Sequence, residues 1–355
     1  MDEGQPEVNP GVGEEDRISR RSLLRAGAFG AAGLALAQGA RALRADQAPN
    51  QAGREAQNDF GHEAHGANAP VGSLRPGGFD PMLYLKRFDT GRVSTLENGQ
   101  TLREFDFVAV DREIEVAPGV FFPAWTYNGE VPGPTIRATE GDRVRVNFVN
   151  AGSHPHTIHF HGIHASNMDG VFEVIDPGQS YVYEFDAEPF GLQLYHCHAI
   201  PLKRHIHKGL YGVFIIDPKE GREPANEMVM VMNAFDTNFD NDNEVYAVNT
   251  IGFHYQTHPI PLELGQLNRI YLVNLTEFDL INSFHLHGNF FRFFRTGSDL
   301  ERFEWTDNVM LCQGERGILE FTFKFPGKFM FHAHQSEFAE LGWMGIFDVK
   351  ERLHA

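Results

Sequence analysis

The sequence predicts an all-β protein built as two Greek-key β-sandwich domains, residues 101–220 and 221–355. Beyond residue 100, short alternating or β-branched runs recur between Gly, Pro, Asn and Asp, and no long amphipathic helical pattern competes with them. The chain also repeats itself. His159-Phe160-His161-Gly162 returns as His285-Leu286-His287-Gly288, and His196-Cys197-His198 returns as His332-Ala333-His334. The closing Gly209-Leu210-Tyr211-Gly212 has its counterpart in Gly342-Trp343-Met344-Gly345. Short strands in two copies, each bounded by turn residues, suit two sandwiches.

Taken in order, residues 1–45 read as a twin-arginine export signal. Ser19-Arg20-Arg21-Ser22-Leu23-Leu24 precedes a weakly apolar run from Ala26 to Ala37, and small-residue cleavage sites follow at Ala35-Leu36-Ala37 and Ala40-Arg41-Ala42. The run is too short to cross a bilayer. A periplasmic or secreted mature protein is therefore expected. Residues 46–100 are expected to be a flexible N-terminal segment, most clearly the polar Gly-, Ala-, Asn- and Gln-rich stretch from Ala45 to Pro76, in which His62 and His65 would be solvated. Strands are expected at Arg143 to Val149, Tyr181 to Phe185 and Gly212 to Ile216 in the first domain. In the second they are expected at Met228 to Met232, Arg269 to Val273 and Ile318 to Phe325.

The 355 residues suffice for two separate cores, and a net charge of −18 argues against nucleic acid or an anionic membrane surface as partner. An acidic surface would tolerate cationic or neutral small substrates. Two cysteines are too few for a disulfide framework, and Cys312 is expected to be a buried core residue.

The chemistry lies in the parity of the histidine motifs. Side chains alternate between the faces of a strand, so His196 and His198 share one face while Cys197 takes the other. The same rule joins His159 with His161 and sends His156 to the opposite side. One face thus carries four imidazoles, and the other a thiolate with an imidazole. Two imidazoles and a thiolate, with a weak or absent axial ligand, make a blue copper centre. The four-histidine face behind it, joined through the Cys-His peptide, suggests a second copper site. In the second copy the paired histidines persist as His285, His287, His332 and His334. There Cys197 becomes Ala333, His156 becomes Asn282, and His205 falls near Phe338. The first domain should therefore hold a mononuclear copper and half of a cluster, and the second domain the other half.

On these residues, from about residue 101 to the C-terminus, the chain resembles a two-domain multicopper oxidase, laccase-like, with its type 1 copper in the first domain. Tyr127 to Arg137, followed by Gly141-Asp142, matches a stretch common near the start of the family's domains. The resemblance implies two cupredoxin-like domains and four copper ions per chain: one type 1, one type 2 and two type 3. By resemblance His156, Cys197 and His205 would bind type 1 copper, with Leu210 axial and raising its potential relative to Met. The family places the second type 1 histidine four residues before a Gly, as His205 stands to Gly209, which leaves His207 a neighbour near the rim. His159 and His285 would bind the type 2 ion. His161, His196 and His334 would serve one type 3 ion, and His198, His287 and His332 the other; parity alone supplies only the set of eight.

The implied reaction couples one-electron oxidation of phenolic, aromatic or metal-ion donors, through Cys197, to reduction of dioxygen to water. Asp169 would relay protons, with Glu337 and Glu340 near the cluster. The family's assembly implies a homotrimer with clusters between subunits. Copper-containing nitrite reductase is the nearest alternative, and a non-enzymatic periplasmic copper-binding or electron-transfer cupredoxin the next. His159 stands where the reductases keep an Asp, and His198 follows the Cys where they have no histidine. His154, His164, His254 and His258 match no ligand position and are expected to be surface or interface residues.

Overall fold

A computed structural model describes residues 78–351. The expected export signal, His62 and His65 lie outside the described residues. The expectation that flexibility extends to residue 100 is corrected, because residues 78–100 are folded into the molecule. Asp80 caps a short helix, Pro81–Tyr84, by accepting the Met82 N–H at 2.9 Å. Tyr84 and Leu85 are buried in a core cluster shared by both domains. The Tyr84 hydroxyl donates to Gly133 O at 3.1 Å, and Leu85 O accepts from Val229 N at 3.0 Å. This segment therefore ties one domain to the other. Its signal was the run of apolar residues from Phe79 to Phe88, which sets it apart from the polar stretch before it.

Domain one is a sandwich of two sheets. The first carries β1 (Arg92–Thr95), β2 (Thr101–Ala117), β3 (Val120–Tyr127), β5 (Arg143–Asn150) and β7 (Ser180–Asp186). The second orders β4 (Ile136–Thr139), β9 (Tyr211–Asp217), β8 (Gly191–His196) and β6 (His159–Phe160). Domain two repeats the plan. One sheet runs β11 (Val245–Val248), β10 (Asn226–Phe235), β13 (Asn268–Asn274), β18 (Arg316–Phe321), β15 (Phe291–Arg295) and β16 (Glu304–Thr306). The other runs β12 (Ile260–Glu263), β20 (Met344–Lys350), β19 (Gly327–His332), β14 (Ile281–Leu286) and β17 (Asn308–Cys312). The duplication shows in the pairing. β2 lies parallel to β5 as β10 does to β13, and β4 parallel to β9 as β12 does to β20. This is the cupredoxin fold.

Alternation accounts for the strands. In β5, Val144, Val146 and Phe148 are buried while Arg143, Arg145 and Asn147 face outward. Each such side chain contributes about 1.5–3 kcal/mol. The same alternation overturns one expectation. In β17, Val309 and Leu311 are buried, so Cys312 faces solvent and is not a core residue. The last expected strand also stops at Phe321 rather than Phe325.

The repeated glycines near the C-terminal motif of each domain have a steric reason. A Cβ on Gly212 would lie 2.2 Å from the Tyr195 hydroxyl, and one on Gly345 would lie 2.2 Å from the Phe331 ring. Tyr195 and Phe331 directly precede His196 and His332. Gly345→Ala should cost about 1–3 kcal/mol by overpacking, read as a lower denaturant midpoint at unchanged slope.

Candidate metal centre

β6 and β8 pair antiparallel with His159 opposite His196, which draws the first four histidines into one group. The His159 ring lies 5.1 Å from those of His161 and His196 and 5.4 Å from that of His198. The Nε2 atoms of His161 and His196 face each other at 3.3 Å. β14 and β19 repeat this with His285 opposite His332. The His285 ring lies 4.9 Å from His287, 5.4 Å from His332 and 5.2 Å from His334, and the Nε2 atoms of His287 and His332 are 2.8 Å apart.

Backbone carbonyls orient these rings. His159 Nδ1 donates to Asp169 O at 2.8 Å, and His285 Nδ1 to Asp307 O at 2.9 Å. His196 Nδ1 donates to Cys197 O at 3.0 Å, and His332 Nδ1 to Ala333 O at 2.6 Å. Fixing the proton on Nδ1 leaves each Nε2 lone pair free for a metal. Burial holds the His161 imidazole down at about 3 and that of His196 at about 4, so both are neutral donors at neutral pH.

On the opposite side of β8, Cys197 Sγ, His205 Nδ1 and His156 Nδ1 converge. The Cys197 to His205 and His156 to His205 distances are both 3.2 Å, and Cys197 to His156 is 4.0 Å. All three residues are buried. Burial depresses both imidazoles, His156 to about 3 and His205 to about 4, and pushes the Cys197 thiol up. A thiolate in this pocket needs a cation to offset its desolvation. A soft sulfur and two borderline nitrogens, facing one another with no carboxylate among them, match the donor preference of copper. The Thr157 N–H points at Sγ from 3.3 Å, and Leu210, fully buried, accepts the Cys197 N–H on its carbonyl at 2.9 Å. His205 comes from the short helix Leu202–His207. His207 lies outside the triad. Its Nε2 accepts the Asp236 N–H at 3.2 Å, and its ring packs on Phe122 and Phe278.

The equivalent place in domain two is filled by packing. Ala333 and Asn282 are fully buried, Asn282 Nδ2 donates to Thr276 Oγ1 at 3.0 Å, and Phe338 stacks on Tyr246 at 4.0 Å.

Asp169 has a carboxylate oxygen 3.1 Å from His159 Nδ1 and 3.7 Å from His164 Nε2. His164, expected at the surface or an interface, is packed within the chain. Its side chain is largely buried and its Nε2 donates to Phe160 O at 2.8 Å. The His154 ring packs at a tilt against Trp125 at 4.4 Å, and His254 stacks on His258 at 4.6 Å. Glu337 lies in the short helix Ser336–Glu340, whose last residue is Glu340. Sequence reasoning missed Asp307, although its carboxylate stands 3.8 Å from His285 as that of Asp169 stands to His159. The domain repeat was the signal. Trp125 was missed too, and its ring lies 5.3 Å from that of His156 and 4.9 Å from that of His205. Among the described residues no ring contact joins the first histidine quartet to the second.

The fold and the two donor sets define a cupredoxin-fold copper protein. Residues 111–221 and 222–352 each match the sequence profile described as multicopper oxidase. A crystal structure of a multicopper oxidase superposes with a TM-score of 0.76 at 57% identity, covering 77% of this chain and 98% of the other. The blue copper oxidase of Nitrosomonas europaea superposes with a TM-score of 0.64 at 28% identity, covering 70% of this chain and 86% of its counterpart. The copper-containing nitrite reductase of Neisseria gonorrhoeae is 30% identical over 246 residues, which is 63% of this chain and 62% of the reductase's own length. The chain belongs to the multicopper oxidase family, and that family implies copper.

Proposed function

We propose that the protein is a laccase-like oxidase that couples one-electron oxidation of aromatic donors to reduction of dioxygen. The observation that carries this reading is the pair of histidine quartets, one on each domain, beside a single Cys-His-His triad. His156, Cys197 and His205 would hold a type 1 copper, with Leu210 beside it. The eight paired histidines, His159, His161, His196, His198, His285, His287, His332 and His334, would hold three more ions. Copper bound at these sites would supply one-electron redox chemistry at the triad and dioxygen chemistry at the cluster.

The chain's own residues arrange the rest. Cys197 sits between His196 and His198 in sequence, so a single backbone segment links the donor side to the dioxygen side. Asp169, poised between His159 and His164, would hold a proton where the reduction consumes one. In balance, four phenols each give up one electron and one proton, and one dioxygen takes all of them to become two waters. Among the described residues no ring contact joins the two quartets, which supports completion by a neighbouring copy in a closed ring such as a trimer. Action in the periplasm or outside the cell follows from the proposed export signal.

Nitrite reduction is the second reading, favoured by the reductase relative. A copper count with oxygen and nitrite assays separates the two. Four ions per chain with oxygen uptake support the oxidase, whereas two per chain with nitrite turnover sink it. At the triad, Leu210→Met should lower the type 1 potential and slow oxidation of high-potential phenols. Similar side-chain volumes should hold the stability change below about 1.5 kcal/mol. A redox titration with no shift would mean that residue 210 does not act on a type 1 ion.

A further inference from the structure

A cleft of about 610 Å³ opens beside the triad, and its charge runs against that of the chain as a whole. Lys203, Arg204 and Lys208 line it, on and just after the helix Leu202–His207 that delivers His205. All three lie over aromatic faces. Lys203 Nζ lies 4.2 Å from the Phe278 ring, and Lys208 Nζ lies 4.9 Å from Phe122 and 5.3 Å from Phe239. The Arg204 guanidinium lies 5.1 Å from the Trp125 ring, which in turn lies 4.9 Å from that of His205. Among the described residues lining the cleft the sole carboxylate is Asp236, and it already accepts the N–H groups of Asp240 at 3.1 Å and Asn241 at 2.8 Å. Carboxylate oxygens of Asp240 and Glu244 stand within 4.8 Å of Asp236, and Asp111 and Glu277 act on Lys208 and Lys203, so these four acids surround a cleft whose wall itself carries three cations and one carboxylate.

We infer that this cleft selects anionic aromatic donors, phenols whose ring also bears a carboxylate or sulfonate. The ring would seat against Phe239 and Phe278, and the acid group would meet Lys203, Arg204 and Lys208. The inference rests on the oxidase reading above and adds the sign of the donor's charge. It reverses the expectation drawn from the net charge of −18. Screening confines the field of distant surface carboxylates to about 8–10 Å, so the cations lining the cleft decide what enters it. The donor's phenolic O–H gives up one electron and one proton to dioxygen in the balance already stated, and its acid group passes through unchanged.

The test compares para-hydroxybenzenesulfonate with phenol as donors to the copper-loaded protein. Intrinsic reactivity cancels when each variant is compared with wild type. Lys203→Gln with Lys208→Gln should lower the ratio of kcat/KM, sulfonate over phenol, roughly tenfold, as expected for loss of one exposed and one largely buried cation at the cleft wall. The charge-keeping pair Lys203→Arg with Lys208→Arg should hold that ratio. Calorimetry with naphthalenesulfonate, which is not a phenol, supplies a readout independent of turnover, with naphthalenemethanol as the neutral comparison. The sulfonate should bind more weakly to the Gln pair. A ratio and a sulfonate affinity that both ignore the Gln pair overturn the inference, as does an equal fall in the Arg pair. Sulfonate binding that depends on the two lysines, in a protein that oxidises neither donor, would retain the charged cleft and overturn the oxidase reading instead.

Discussion

Cys197→Ser should erase the intense thiolate-to-copper absorption and abolish donor oxidation, while the histidine sites still load copper. Copper content should fall by the single type 1 ion. The expectation follows from geometry: the sulfur lies 3.2 Å from His205 Nδ1 and 4.0 Å from His156 Nδ1, on the opposite side of β8 from the quartet around His159. A serine oxygen is a hard donor that keeps the volume and loses the covalency on which the colour depends. The neighbouring β6–β8 pairing needs no side chain at residue 197, so the quartet should survive. Metal analysis and visible spectra check both halves. A blue, active Cys197→Ser protein would end the type 1 assignment, and so would a blue colour traced to domain two.

Two inactive proteins should also restore one another. His161→Ala breaks the quartet of domain one and His334→Ala that of domain two, and each alone should lose dioxygen reduction. If clusters form between subunits of a ring, co-expression should rebuild roughly one site in four at random mixing. If each cluster formed within one chain, mixing would rebuild none. Mixed assemblies verified by mass spectrometry and still inactive would rule out the inter-subunit cluster. The separation of the two quartets among the described residues is what makes recovery the expected result.

The candidate metal centre was legible because a strand enforces a two-residue period. Alternation around His159, His161, His196, Cys197 and His198 sorts donors into faces without knowledge of any other part of the fold, and the pairing of His159 with His196 agrees. The repeat supplied the second quartet and the loss of the thiolate site at Ala333 and Asn282. What escaped was whatever depends on residues far apart in sequence. Trp125 meets the triad from β3, and Asp307 meets His285 across β14 and β17; no local pattern announces either contact. Cys312 was misread because its apolar neighbours suggested a buried strand, whereas β17 shows one face to solvent. Residues 78–100 were misread because their polar N-terminal neighbours coloured the whole segment, although Tyr84 and Leu85 carry it into the core.

The triad lies wholly inside one domain and is buried there, whereas His287 and His334 of the second quartet are exposed on their own. On the inter-subunit cluster proposed above, maturation would follow an order. A newly folded subunit would hold every donor for its electron entry point and only half of the cluster's histidines. Assembly would then act as a safety interlock, because the place that meets dioxygen would be completed only between neighbours.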